Sequence, residues 1–298
     1  MKFLDPKIDL AFKRLFGSED HKGVTISFLN AMLEYTGDRC IETIQFLNNE
    51  QTPANLDKKE NILDVFCTDK AGRKFIIEMQ NAWMRSFSKR IVYYGAKTYA
   101  SQLGRAMPYD DLDPVTVVAI TKQFEVFPEK IGYKSIHHLT DAKTFEHDLD
   151  DLSFVFVELP KFVKAEHELV THEDRWLFLL KKIGSYDHIP EPLKQGEFEE
   201  ACQLLNHMTL SAYEQALYEK RLLDTQAAEI NADLAMNAAE YAKKAEYKGR
   251  AEAQREIAKR LLDQGLDTEI VAKATALSLD EIDSLKKPEK HYGAGILS

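Results

Sequence analysis

Cysteine is scarce in this 298-residue chain: Cys40, Cys67 and Cys202 are odd in number and scattered. They build neither a disulfide framework nor a metal knuckle, so a reducing, cytoplasmic setting is expected. Long apolar runs are missing too. The chain is 44% hydrophobic, yet no uninterrupted stretch is long enough to span a bilayer, so no membrane partner is expected. The opening Met1-Lys2-Phe3-Leu4-Asp5 becomes charged at once and is not expected to be a signal peptide. Acid is missing locally. The whole chain carries a net charge of −10, which argues against a polyanion partner, but between Met79 and Tyr109 stand Arg85, Lys89, Arg90, Lys97 and Arg105 with no acid among them. Residues 1–110 carry a net +2 and the remainder −12. Such a basic stretch is commonly a solvated helix face. What precedes it here points instead to a phosphate backbone.

What precedes it is the segment 61–80, NILDVFCTDKAGRKFIIEMQ. Two apolar β-type runs flank a short turn. The first carries Asp64, the second Glu78 and, two residues on, Gln80. Acids inside such runs are costly unless their charge is compensated, and a divalent metal is a strong compensator. Reading Lys70-Ala71-Gly72 as a three-residue hairpin loop with a left-handed glycine pairs Asp69 with Arg73 and, counting inward, Asp64 with Glu78. Opposed residues point to one side with Cβ atoms roughly 5 Å apart. Glu78 and Gln80, two apart, share that side. A bulge would slip the register and separate Asp64 from Glu78. Alternatively, acids on a strand simply mark a wet sheet face.

Asp-(hairpin)-Glu-x-Gln is a variant of the PD-(D/E)xK signature, and the surrounding text resembles the recombination-promoting nuclease, or transposase-like, branch of the PD-(D/E)xK nuclease superfamily. The resemblance rests on Asp9 with Phe12-Lys13-x-Leu15-Phe16, on Leu63-Asp64-Val65, and on Ile77-Glu78-Met79-Gln80. It continues through Arg90, Tyr93, Tyr94 and Gln102 to Glu158-Leu159-Pro160-Lys161-Phe162, covering most of residues 1–165. It implies a DNA endonuclease dependent on Mg²⁺, or Mn²⁺ in its place. Asp64 and Glu78 match the metal-binding carboxylates, and Gln80 stands where the superfamily pattern has lysine. Glutamine orients a water and donates a hydrogen bond, but it carries no charge. The Met79 carbonyl is a further candidate ligand. Asp9 would complete the metal site or merely cap a turn.

The resemblance implies an α/β fold: a restriction-endonuclease-like core, with a mixed central sheet flanked by helices, and an all-α C-terminal extension. The residues support that order. Helices are expected over 5–16, with Asp5 as cap and Pro6 in the first turn, and over 21–33. A strand is expected over 41–48, the hairpin over 62–69 and 73–80, and a helix over 85–104. Strands follow over 115–121 and 153–159. Lys13 and Arg14 on the first helix, and Arg85, Lys89, Arg90, Tyr94 and Lys97 on the third, are candidate DNA contacts; Arg90 and Tyr94, spaced i, i+4, alternatively orient the site. His137 and His138 lack a third ligand at metal spacing, and Trp83 reads as a core aromatic.

Residues 1–165 are expected as the nuclease-like domain, 166–250 as a helical extension and 251–290 as a small helix-turn-helix-like tail. Residues 172–206 read as short helices broken by Gly184, Pro190, Pro192 and Gly196. From Ser211 to Gly249 neither proline nor an earlier glycine occurs, predicting a long helix or helical hairpin. Its Leu217, Leu222, Leu223, Ile230 and Leu234 suit either homo-oligomer formation or packing on the core. The third piece of the tail opens with Asp280-Glu281 and offers no base-reading donor, which favours protein docking over DNA reading. Two other readings stay open: a catalytically inactive DNA-binding module with the nuclease fold, and a helical interaction protein.

Overall fold

The computed structural model describes residues 2–48, 50–51, 61–104, 108–130 and 132–285; Arg105 lies outside the described residues. The strands are β1 (Ile44–Phe46), β2 (Glu50–Gln51), β3 (Asn61–Ile62), β4 (Val65–Asp69), β5 (Lys74–Gln80), β6 (Val115–Thr121), β7 (Lys134–Leu139) and β8 (Leu149–Glu158). The helices are α1 (Asp9–Phe16), α2 (Lys22–Leu33), α3 (Phe87–Ala100), α4 (His172–Lys182), α5 (Gly196–Leu204), α6 (Ala212–Asp263), α7 (Thr268–Thr275) and α8 (Leu279–Leu285). Six strands form one mixed sheet in the order β1-β4-β5-β6-β8-β7, and β2 pairs with β3 separately. The β5/β6 and β6/β8 pairs are parallel; β1/β4, β4/β5 and β7/β8 are antiparallel.

Side chains alternate between the two faces of the sheet. Phe75, Ile77, Val118, Ile120, Val155 and Val157 enter the larger core, with Phe12, Phe16, Phe28, Trp176 and Phe198 from α1, α2, α4 and α5. Ile76, Val117, Ala119 and Phe156 face the other way, onto Phe87, Ile91 and Tyr94 of α3. Every residue of β6 is buried, as a strand covered on both faces must be. Gly95 lets α3 lie close: a Cβ there would come within 2.9 Å of the Phe154 ring.

Four details depart from the sequence expectations. α1 starts at Asp9 because Asp5 is used earlier, its carboxylate accepting the Lys7 N–H at 3.0 Å and its carbonyl the Ile8 N–H at 3.0 Å. β7 was not foreseen; it is a partly exposed edge strand whose mixed KSIHHL text lacks a clean apolar period. Gly196 opens α5 rather than breaking a helix. α6 is one continuous helix that passes through Gly249 and takes in the first piece of the expected tail.

The chain divides into two compact units, Met1–Asp233 and Leu234–Ser298. In the first, α4 and α5 share the larger core with the sheet, so this unit runs past residue 165. In the second, Ala258, Val271, Leu277 and Ile282 form a small core. Asp267 caps α7 by accepting the Glu269 N–H at 2.8 Å.

Candidate active site

The β4–β5 turn takes the form its residues call for. Gly72 has φ +84°, where an L side chain is strained, and an added Cβ would collide with the Asp113 carboxylate. Asp69 donates its N–H to the Arg73 carbonyl at 3.1 Å. The ladder then pairs Cys67 with Phe75 and Val65 with Ile77, so the next opposed pair is Asp64 with Glu78. At that position side chains replace the ladder. Asp64 N–H donates to Glu78 Oε1 at 3.1 Å, and Met79 N–H donates to Asp64 Oδ2 at 2.8 Å. The two carboxylates are thus latched across the strands at the carboxyl end of β5. Ligands of open α/β sheets bind outside the carboxyl ends of the strands.

This is not a wet sheet face. Glu78 is 3% exposed and follows buried Phe75, Ile76 and Ile77. Burial first, and then the neighbouring Asp64 charge, push the Glu78 carboxyl up to about 8 against the opposing Asp64 N–H, Arg90 and Lys13. Burial likewise raises Asp64, to about 6, with the Met79 N–H opposing and the Asp9 charge adding to the rise. Negative charge on either carboxylate disfavours ionisation of the other. Without a cation the pair therefore holds protons into the neutral range.

The remaining expected residues fall into three groups. Gln80 and Arg90 meet directly: Arg90 Nη2 donates to Gln80 Oε1 at 2.6 Å, while Gln80 Nε2 donates to the Ala82 carbonyl at 2.7 Å. Tyr94, buried on the same helix, lies within reach of the Arg90, Glu78 and Asp64 charges. Asp9 and Lys13 form an ion pair of 2.8 Å on α1, and their charges act on the pair from that side. Arg85 and Lys89 are exposed and Lys97 is half-buried. Arg14 is otherwise engaged, donating to the Leu204 carbonyl at 2.9 Å and to Thr209 Oγ1 at 3.0 Å.

Oxygen donors dominate the site, which suits a hard divalent cation better than a soft one. The Met79 N–H points toward β4, and in a strand its carbonyl points to the same side, where Asp64 stands. Among the described residues no three His, Cys, Asp or Glu side chains come together as a metal-holding group. Asp9 accordingly does not join Asp64 and Glu78 as a third clustered carboxylate.

A family model described as PD-(D/E)XK nuclease family transposase matches residues 6–232. The chain belongs to that family. A second model, the C-terminal HTH domain of the Rpn/YhgA-like nuclease family, matches residues 251–287. No curated protein and no solved structure gives a significant match. Nucleases of the PD-(D/E)XK class generally use divalent metals, and the nuclease and HTH matches together point to DNA. No described helix is long and apolar enough to cross a membrane.

Other residues quoted for the family resemblance hold the nuclease core together. Glu158, fully buried at the end of β8, accepts the Val126 and Phe127 N–H groups at 2.6 and 3.0 Å. Lys161 donates to Glu158 at 3.0 Å and to the Phe127 and Lys130 carbonyls at 2.6 and 2.8 Å. Gln102 reads both sides of the Asp113 backbone at 2.9 and 3.1 Å, tying the end of α3 to the start of β6.

Sequence reasoning missed Lys122. Its N–H donates to the Gln80 carbonyl at 3.0 Å, and its ammonium pairs with Glu229 of α6 at 2.7 Å. Only the parallel register of β5 and β6 brings it beside the motif.

Proposed function

We propose that this chain is a metal-dependent DNA endonuclease of low sequence specificity that promotes recombination or serves a mobile element in the cytoplasm. The observation that carries the reading is the Asp64–Glu78 pair, half-buried at Asp64 and buried at Glu78, latched backbone to side chain at the carboxyl end of β5. Asp64, Glu78 and the Met79 carbonyl hold Mg²⁺, or Mn²⁺ in its place, and Asp9 adds negative charge nearby. Bound there, the cation supplies positive charge to a non-bridging phosphate oxygen and acidifies a water. The protein's residues do the rest. Gln80 orients the attacking water through its amide. Lys13, Arg85, Lys89 and Lys97 hold the phosphate backbone from α1 and the α3 region, and Tyr94 packs beside the pair. Attack at phosphorus breaks one phosphate ester bond and leaves a phosphomonoester and a hydroxyl.

The low specificity follows from where the cations lie: they are placed to meet phosphates, which carry no sequence information. α8 opens on Asp280 and Glu281 where a DNA reader needs donors, which favours a protein contact over base reading for this helix. The test is Asp64→Asn. Cleavage falls by at least about 100-fold, the scale expected when an electrostatic stabiliser is removed, while duplex binding in Ca²⁺ is retained. Undiminished cleavage removes the site assignment.

A further inference from the structure

Position 80 poses a charge problem. The superfamily pattern has a lysine at this position, where Gln80 brings an amide with no charge. A developing phosphorane gains negative charge, so a neutral donor alone stabilises it less than a cation. The cation bonded to this amide is Arg90. Its guanidinium donates to Gln80 Oε1 at 2.6 Å, and the other end of the amide is fixed by the Ala82 carbonyl at 2.7 Å. The guanidinium is held between rings, 5.4 Å from the Phe87 centroid and 5.7 Å from Tyr94. Its charge acts on both Asp64 and Glu78. Its Nε is buried and has no hydrogen-bond partner among the described residues. A buried donor without a partner is costly, so this one is poised for an acceptor from outside the chain.

Resting on the nuclease reading, we infer that Arg90 is the positioning residue of this site: it fixes the Gln80 amide and carries, from α3, the positive charge that a lysine would carry at position 80. Arg90 is then no general DNA contact. The bond to Oε1 fixes which way the amide points, which glutamine cannot do alone. It also polarises the amide, so the Gln80 N–H that is not given to the Ala82 carbonyl becomes a stronger donor toward the water or the phosphate.

The experiment compares wild type, Arg90→Gln, Arg90→Lys and the double variant Gln80→Lys/Arg90→Gln in full-length protein. Three readouts are single-turnover cleavage at saturating DNA, duplex affinity in Ca²⁺, and the melting temperature. Arg90→Gln is expected to lose about 100-fold in the cleavage step, as for removal of one electrostatic stabiliser, with affinity within about twofold of wild type. The double variant, which puts the cation back at position 80, is expected to recover at least about tenfold of that loss. If Arg90→Gln does not fold, Arg90→Met replaces it: Arg90→Lys, which keeps the charge, is expected to cleave at least about tenfold faster than Arg90→Met, and equal rates overturn the inference. A defect confined to affinity, or a double variant no better than the single, overturns the inference while leaving the nuclease reading intact. An inert wild type overturns both.

Discussion

Glu78 is 3% exposed and Asp64 stands opposite it, so neither ionises easily in the metal-free chain. Both bind protons more tightly folded than unfolded. Stability therefore falls as pH rises from the ordinary carboxyl range through the raised values, about 6 for Asp64 and about 8 for Glu78. Glu78→Gln removes one ionisation and keeps an oxygen for the Asp64 N–H. It is expected to raise the melting temperature of metal-free protein, with the gain growing between pH 5 and pH 8, at about 2–4 °C per kcal/mol for a chain of this size. Mg²⁺ should stabilise wild type and not this variant. A gain that shrinks as pH rises contradicts the account of the pair. At this scale the sequence was partly legible. Asp64, Glu78 and Gln80 could be placed together by counting outward from Gly72. The Arg90–Gln80 bond could not, because it joins a strand end to a helix ten residues on and no local period reports it.

The β4–β5 hairpin is the element that sets the site. Its register is pinned at the far end by Gly72, and a one-residue slip would turn Asp64 away from Glu78. Gly72→Ala must accommodate both φ +84° and the Asp113 carboxylate, so a loss of about 1–3 kcal/mol is expected, read as a melting temperature lower by several degrees. An unchanged melting temperature would show that the turn does not constrain the hairpin. The nearly continuous apolar text of β6 announces its burial, and the alternation in β5 announces its two faces. β7 escaped notice because edge strands with one wet face lose the apolar signal. The length of α6 escaped because an exposed interior glycine costs only about 1 kcal/mol, which does not end a helix, and Gly249 meets nothing within 4 Å.

Across the whole molecule, charge is divided. Residues 1–110 carry a net +2 against −12 for the rest, so the proposed DNA contact rests on a few basic residues of an acidic protein. Binding should weaken steeply with salt, and Arg85→Gln or Lys89→Gln should each reduce the slope of log affinity against log salt by about 1 without sequence preference. A slope unchanged in both variants moves the interface elsewhere. The boundary of the first unit at Asp233 was hidden from the sequence because α4 and α5 look like an appendage until Trp176 and Phe198 are seen inside the larger core. On the proposed reading the Asp64–Glu78 pair is a divalent-metal centre for phosphodiester cleavage. Its most direct test is plasmid nicking by wild type and Glu78→Gln side by side in Mg²⁺, Mn²⁺, Ca²⁺ and EDTA. Wild type is expected to nick in Mg²⁺ or Mn²⁺, with no nicking in EDTA or by the folded variant. Nicking that survives EDTA, or equal nicking by the variant, would contradict that reading.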